Sequence, residues 1–149
     1  MVGPEAPLVD GIVDRFQAAG LACFGPCAGP AQLEGSKSFA KAFLDRHAIP
    51  TASWQVFTDP DAARKHIEDQ NTPLVLKADG LAAGKGVIIA KNREEALAAV
   101  DEILVDQRFG RAGRRLVIEE FLEGEEISFI CVAAGTEVLP LATSQDHKA

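Results

Sequence analysis

The stretch that decides the fold is Lys77-Ala78-Asp79-Gly80-Leu81-Ala82-Ala83-Gly84-Lys85-Gly86-Val87, which lies between two short apolar runs at residues 73–76 and 87–90. Short apolar runs bounded by turn residues are typical of buried strands. Glycines let the connecting backbone bend sharply and point its N–H groups at an anion, and the two lysines add positive charge. The stretch therefore predicts a hairpin whose loop closes over a polyphosphate.

This loop differs from the phosphate-binding loop known as Walker A. A Walker A loop has four residues between its first glycine and its Gly-Lys pair, continues with Ser or Thr, and opens a helix whose N-terminus receives the phosphate. Here three residues separate Gly80 from Gly84, Lys85 is followed by Gly86, and the loop opens a strand. The alternative is a solvated hairpin turn that happens to carry lysines, and the loop by itself does not choose between the two.

Composition narrows the classes of protein. The chain has 149 residues, of which 47% are hydrophobic and 25% are charged, as in ordinary globular domains. A net charge of −7 without a basic stripe argues against nucleic-acid binding. The sequence shows no secretory leader and no apolar run as long as a membrane span, so we expect a cytoplasmic protein without a membrane partner. Cys23, Cys27 and Cys131 are expected to be small buried side chains in a reducing compartment.

Periodicity and capping signals predict the other elements. Residues 1–34 suggest one helix from Pro7 to Gly20 and a short strand at 21–24, which together cannot form a core and are typical of the end of a larger α/β domain followed by a linker. The remaining predictions are a helix at 36–48 capped by Ser36, an extended run at 51–57, a helix at 60–69 after Asp59, a helix after the capping box at Asn92, a strand at 116–118, and a hairpin of 127–132 with 136–139. This order predicts one α+β unit.

A second cluster of chemical groups follows the strand at 116–118. Five glutamates, at 119, 120, 123, 125 and 126, lie next to Phe121 and Leu122. An adenine ring needs apolar surface on its faces and a few hydrogen-bonding groups at its edge, which the backbone of 120–122 could provide. Glu126 could accept hydrogen bonds from two ribose hydroxyls. The alternative is a solvated acidic turn. Lys37 and Lys41 on the predicted helix at 36–48 could likewise be solvated surface lysines.

The two clusters in this order resemble the ATP-grasp superfamily, with Lys-x-x-Gly-x-x-x-Gly-Lys-Gly-Val followed some thirty residues later by Glu-Glu-Phe-Leu-x-Gly-x-Glu. The longer stretches 3–8, 32–37, 77–87 and 142–148 resemble the phosphoribosylamine–glycine ligase (glycinamide ribonucleotide synthetase) family. The resemblance covers the whole chain. It implies an α+β or α/β fold in four parts, namely the end of a Rossmann-like N-terminal domain (1–34), the entry helix of the ATP-grasp domain (35–50), its lid subdomain (51–122) and the start of its central subdomain (123–149).

The resemblance also implies a chemistry. The family joins 5-phosphoribosylamine and glycine to glycinamide ribonucleotide in purine synthesis, using ATP and Mg²⁺ and passing through a glycyl phosphate. The implied partners are these small molecules. The positions that match the family's ATP-contacting residues are Lys37, Lys77, Gly80, Gly84, Lys85, Gly86, Glu119, Glu120, Phe121, Leu122 and Glu126. The positions expected to meet the other substrates are Gly3, Pro4, Glu5, Asp146, His147 and Lys148.

The family pattern also contains parts that this sequence does not show. Family members begin with a strand and a Gly-rich turn, and far downstream they carry a Glu and a Glu-x-Asn run that hold Mg²⁺. We therefore expect an internal fragment whose main metal ligands lie elsewhere, which is inactive by itself and self-associates through apolar surface left exposed. The alternative is a nucleotide-binding or assembly module that never catalyses and is completed by another chain.

Overall fold

The predicted strand-loop-strand hairpin forms one side of a four-stranded sheet. A computed structural model describes residues 2–82 and 84–145. The strands are Trp54–Phe57 (β1), Leu74–Ala78 (β2), Val87–Ala90 (β3) and Leu116–Glu120 (β4), arranged in the order β1-β4-β2-β3 with every neighbouring pair antiparallel. The hairpin of β2 and β3 is thereby confirmed, and β4 lies between β1 and β2.

Two helices cover one face of this sheet and form the core with it. They are Pro60–Glu68 (α5) and Arg93–Val100 (α6), and α6 continues as a π-helical turn at Asp101–Val105. Both predicted caps are present, because Asp59 accepts hydrogen bonds from the first turn of α5 and Asn92 accepts one from Glu95 N–H at 2.9 Å. The fully buried aliphatic side chains Leu76 and Ile118 point from the strands to these helices.

The opposite face is only partly covered. Helix Lys37–Arg46 (α4) lies over it on the β1–β4 side, where Trp54 Nε1 donates to Asp45 at 3.0 Å. Ser36 caps α4 by accepting from Phe39 N–H, as its sequence predicts. On the β2–β3 side the same face is open, and the side chains of Val87 and Ile89 are 44% and 52% exposed.

The first 35 residues differ from the sequence-based prediction. They form three short helices, Glu5–Val9 (α1), Ile12–Ala18 (α2) and Ala28–Gly35 (α3). The single helix predicted from Pro7 to Gly20 is wrong because the chain turns at Gly11, which has a φ of +79°. The strand predicted at 21–24 does not form. Helix α3 was missed because it contains Gly29 and Pro30, although proline is tolerated in a first helical turn.

The C-terminal hairpin pairs Cys131–Ala134 (β5) with Glu137–Pro140 (β6), and Gly135 turns with a φ of +62°. The hairpin was predicted, although its first strand is shorter than expected. Five of the apolar side chains in and next to it are more than half exposed, namely Ile127, Phe129, Ile130, Val138 and Leu139. The expected burial of the cysteines is wrong, because Cys131 is exposed and the other two are half-buried. Among the described helices none is long and apolar enough to cross a membrane.

Candidate nucleotide site

The open face of the sheet combines apolar side chains with charged ones. Side chains directly opposite each other in neighbouring antiparallel strands lie on the same face. Lys77 is opposite Val87, and Val75 is opposite both Ile89 and Glu119. These five side chains therefore share the face that the core helices leave uncovered. The three aliphatic side chains were not predicted as part of a site, and only the register between the strands identifies them.

A buried carboxylate holds two lysines on this face. Lys77 Nζ lies 2.9 Å from Glu119 Oε2, and Lys41 Nζ lies 3.0 Å from the same oxygen. The side chains of Glu119 and Lys41 are 6% and 9% exposed, whereas that of Lys77 is 25% exposed. Lys41 is therefore buried, and the alternative that it is a solvated surface lysine is wrong. The Glu119 carboxylate, predicted to lie in the adenine site, contacts the lysines.

Lys37 lies in the same electrostatic environment. Its Nζ donates to the carbonyl oxygen of Gly80 at 3.0 Å. Burial lowers the pKa of Lys37, and the charge of Lys77 lowers it further, while Asp79, Glu34 and Glu119 act in the opposite direction. An anion placed beside Lys37 would favour its charged form, so the lysine is suited to a phosphate.

Asp79 fixes the base of the glycine loop. Its carboxylate is 5% exposed and accepts from Ser36 Oγ at 3.0 Å, from Ser38 N–H at 2.6 Å, from Ser38 Oγ at 2.9 Å and from Arg115 Nε at 2.7 Å. Its backbone N–H donates to the carbonyl oxygen of Ala112. The loop is thereby tied to the start of α4 and to the 3₁₀ helix Gly110–Arg114.

The three loop glycines have different structural roles. A Cβ on Gly80 would lie 3.0 Å from the Cβ of Ala112, and a Cβ on Gly86 would lie 2.6 Å from that of Ala82. These two glycines allow close packing. Gly84 instead has a φ of +75° and open space around it, so it forms the turn at the tip of the loop. The predicted contacts of all three with phosphate remain predictions.

Lys85 lies apart from the other two lysines. It is exposed and lines a cleft with Glu102, Arg108 and Phe109, whereas Lys37 lines another cleft with Glu5, Glu34 and Val87. The structure thus brings Lys37 and Lys77 together but does not bring Lys85 to them.

The remaining predicted site residues are spread over three places. Phe121 and Leu122 follow β4 and are 38% and 62% exposed, and Glu120 accepts from Ser53 N–H at 2.8 Å. Glu126 lines a separate groove beside Ser144. Among the predicted substrate residues, Glu5 shares the cleft of Lys37, and Gly3 and Pro4 directly precede α1. Asp146, His147 and Lys148 lie outside the described residues.

Comparisons with solved structures identify the class of protein. The structure matches D-alanine–D-alanine ligase from Helicobacter pylori with a TM-score of 0.73 and 18% identity, over 93% of this chain and 41% of that one. At that identity the likeness concerns the fold alone. It also matches phosphoribosylamine–glycine ligase from Thermotoga maritima with a TM-score of 0.76 and 38% identity, over 80% of this chain and 31% of that one. The fold is that of the ATP-grasp ligases.

Sequence comparison identifies the family. Residues 35–149 match the phosphoribosylglycinamide synthetase ATP-grasp (A) domain, and residues 1–34 match the N domain of the same synthetase. The chain belongs to the phosphoribosylglycinamide synthetase family. It is 62% identical over 148 residues to phosphoribosylamine–glycine ligase of Escherichia coli K12, and 61% identical to that of Pseudomonas putida. These matches cover 99% of this chain and 34% of the relatives, so the chain spans about a third of their length.

Proposed function

We propose that this chain forms the nucleotide-binding part of an ATP-dependent carbon–nitrogen ligase of purine synthesis, which joins 5-phosphoribosylamine and glycine to glycinamide ribonucleotide via glycyl phosphate. The observation that carries the proposal is the open sheet face on which Lys77, held by buried Glu119, stands beside Val75, Val87 and Ile89. Family membership supports the proposed reaction, and the combination of apolar and charged side chains on this face supports the proposed nucleotide site.

The two kinds of side chain on this face suit the two ends of ATP. The flat purine would lie against the aliphatic side chains and reach Phe121 and Leu122, because an apolar surface with a few polar groups at its edge suits such a ring. The phosphates would lie toward Lys37 and Lys77, with Lys85 joining them when the loop closes. ATP supplies the phosphoryl group that activates a carboxylate, and the lysines contribute charge neutralisation and positioning.

The family resemblance also implies Mg²⁺, for which the described residues offer no cluster of ligands. Within residues 2–82 and 84–145, no three side chains of His, Cys, Asp or Glu come together in a way that could hold a metal ion. The main protein ligands of Mg²⁺ remain expected outside this chain, and we assign no step of the reaction to the metal here.

Other expectations stay proposals. The domain boundaries at 34/35, 50/51 and 122/123, the cytoplasmic location and the absence of nucleic-acid and membrane partners all remain predictions. Self-association is also proposed, and it is supported by the exposed apolar side chains of the β5–β6 hairpin.

Nucleotide titration combined with a turnover assay tests the proposed function. We expect the 149-residue chain to bind ATP in isothermal titration calorimetry and to release no phosphate from ATP when glycine and 5-phosphoribosylamine are supplied. A chain that does not bind ATP would contradict the nucleotide site. Robust turnover that Lys85→Ala abolishes would contradict the expected inactivity, and restoration of turnover by another chain would favour the alternative of a module completed by a partner.

The lowered pKa of Lys37 predicts how ATP affinity depends on pH. Below that pKa the side chain is charged and attracts phosphate, and above it the attraction is lost. ATP binding by the parent should therefore weaken as the pH rises, starting below the ordinary lysine value of 10.5. Lys37→Arg stays charged over this range, so its affinity should change less with pH. Identical pH profiles for parent and variant would count against a phosphate contact by Lys37.

A further inference from the structure

Lys41 is a buried lysine beside the candidate nucleotide site. It lies on α4, four residues after Lys37, and its side chain is almost completely buried. Its ammonium group has three partners, Glu119 Oε2 at 3.0 Å, Thr51 Oγ1 at 2.8 Å and the carbonyl oxygen of Ala52 at 3.2 Å. An ammonium has three N–H donors, so Lys41 has none left with which to contact a ligand.

Lys77, unlike Lys41, is partly exposed. It shares the same Glu119 oxygen, but a quarter of its side chain is exposed on the open face. If Lys77 and Glu119 formed an isolated pair, their charges would cancel, and the carboxylate would repel an approaching phosphate. Two lysines around one carboxylate instead leave one net positive charge. Because Lys41 and Glu119 are buried, their mutual attraction is poorly screened by salt. The excess positive charge therefore resides on Lys77, the exposed lysine.

We infer that Lys41 is a positioning residue of the nucleotide site, which neutralises Glu119 so that Lys77 keeps a full positive charge for the phosphates. Glu119 then orients Lys77 without cancelling its charge. The inference rests on the proposed nucleotide site and adds to it a residue that never touches the ligand.

The test compares nucleotides that differ only in phosphate number. For Lys41→Met we expect the affinity for ATP to fall about tenfold, the effect of losing one charge-assisted contact, while the affinity for adenosine changes by less than about twofold. ADP and AMP should fall between them. A purely structural role would weaken all four ligands alike, so the dependence on phosphate number separates the two explanations. Unchanged ATP affinity, or equal losses for all four ligands, would overturn the inference.

A double variant tests the charge balance and also covers a possible failure of the single variant to fold. Lys41→Met together with Glu119→Gln removes one charge of each sign and leaves no unpaired buried carboxylate. Lys77 again carries one net positive charge, so the double variant should bind ATP more tightly than Lys41→Met, while the loss of the Glu119 carboxylate that orients Lys77 keeps its affinity below that of the parent. A double variant that binds ATP no more tightly than Lys41→Met, or that loses affinity for adenosine as strongly as for ATP, would overturn the inference.

ATP binding by the parent protein distinguishes a failure of this inference from a failure of the proposed function. If the parent does not bind ATP, the nucleotide site fails and the inference fails with it. If the parent binds ATP but the variants lose affinity for adenosine and ATP equally, the proposed function survives and only the role of Lys41 is rejected.

Discussion

Asp79→Ala should lower the free energy of unfolding by about 2–4 kcal/mol, because several partly buried donors lose their acceptor. The carboxylate is buried and accepts four hydrogen bonds or ion-pair contacts, from two serines that flank Lys37 and from Arg115. Removing it leaves the donors of Ser36 and Ser38 without this acceptor in a partly buried place, whereas the half-exposed Arg115 can turn to water. The loss should appear in urea denaturation as a lower midpoint with an unchanged slope.

Asp61→Ala is the matched control for this variant. Asp61 is also a carboxylate paired with an arginine, Arg64, but its side chain is 87% exposed. Exposed pairs of this kind contribute about 1 kcal/mol or less. If the two variants lost equal stability, Asp79 would not be the anchor of the glycine loop.

Lys77→Met should weaken ATP binding by roughly tenfold to a hundredfold, the range expected for one hydrogen bond between charged groups. Glu119 keeps Lys41 as its partner in this variant, so the fold should survive. Adenosine, which has no phosphate, should bind nearly as well as it binds the parent. Calorimetric titration with both ligands measures the difference.

Lys65→Met provides the comparison for Lys77→Met. Lys65 is an exposed lysine of α5, on the helix layer that covers the other face of the sheet. Its replacement removes the same charge from the protein as a whole and should leave ATP affinity unchanged within about twofold. Similar losses in both variants would mean that net charge, rather than the position of Lys77, governs binding.

Local sequence signals determined much of the architecture. The apolar runs on both sides of the glycine loop formed β2 and β3, and Ser36, Asp59 and Asn92 each capped the helix that follows. Such signals act over a few residues, which is why they can be seen without the fold. They failed in the first 35 residues, where the turn at Gly11 interrupts a continuous apolar pattern and Pro30 lies inside a helix.

The resemblance to a family was also present in the sequence, since its motifs are contiguous stretches. The family is confirmed by the match of residues 35–149. The predicted site lysines, in contrast, do not all lie together. Lys37 and Lys77 lie close enough for the charge of one to affect the pKa of the other, while Lys85 faces a different cleft. The predicted contacts of all of them with ATP remain predictions.

The tertiary structure alone decided which groups act together. Lys41 and Glu119 are 78 positions apart in the chain, and only the fold places their charges 3.0 Å apart. The sequence places Asp79 at the start of the glycine loop, and only its bonds to Ser36, Ser38 and Arg115 show that it anchors the base of that loop. Charge pairing and burial depend on distances between segments that are remote in sequence, so a sequence supplies the groups and the fold determines their partners.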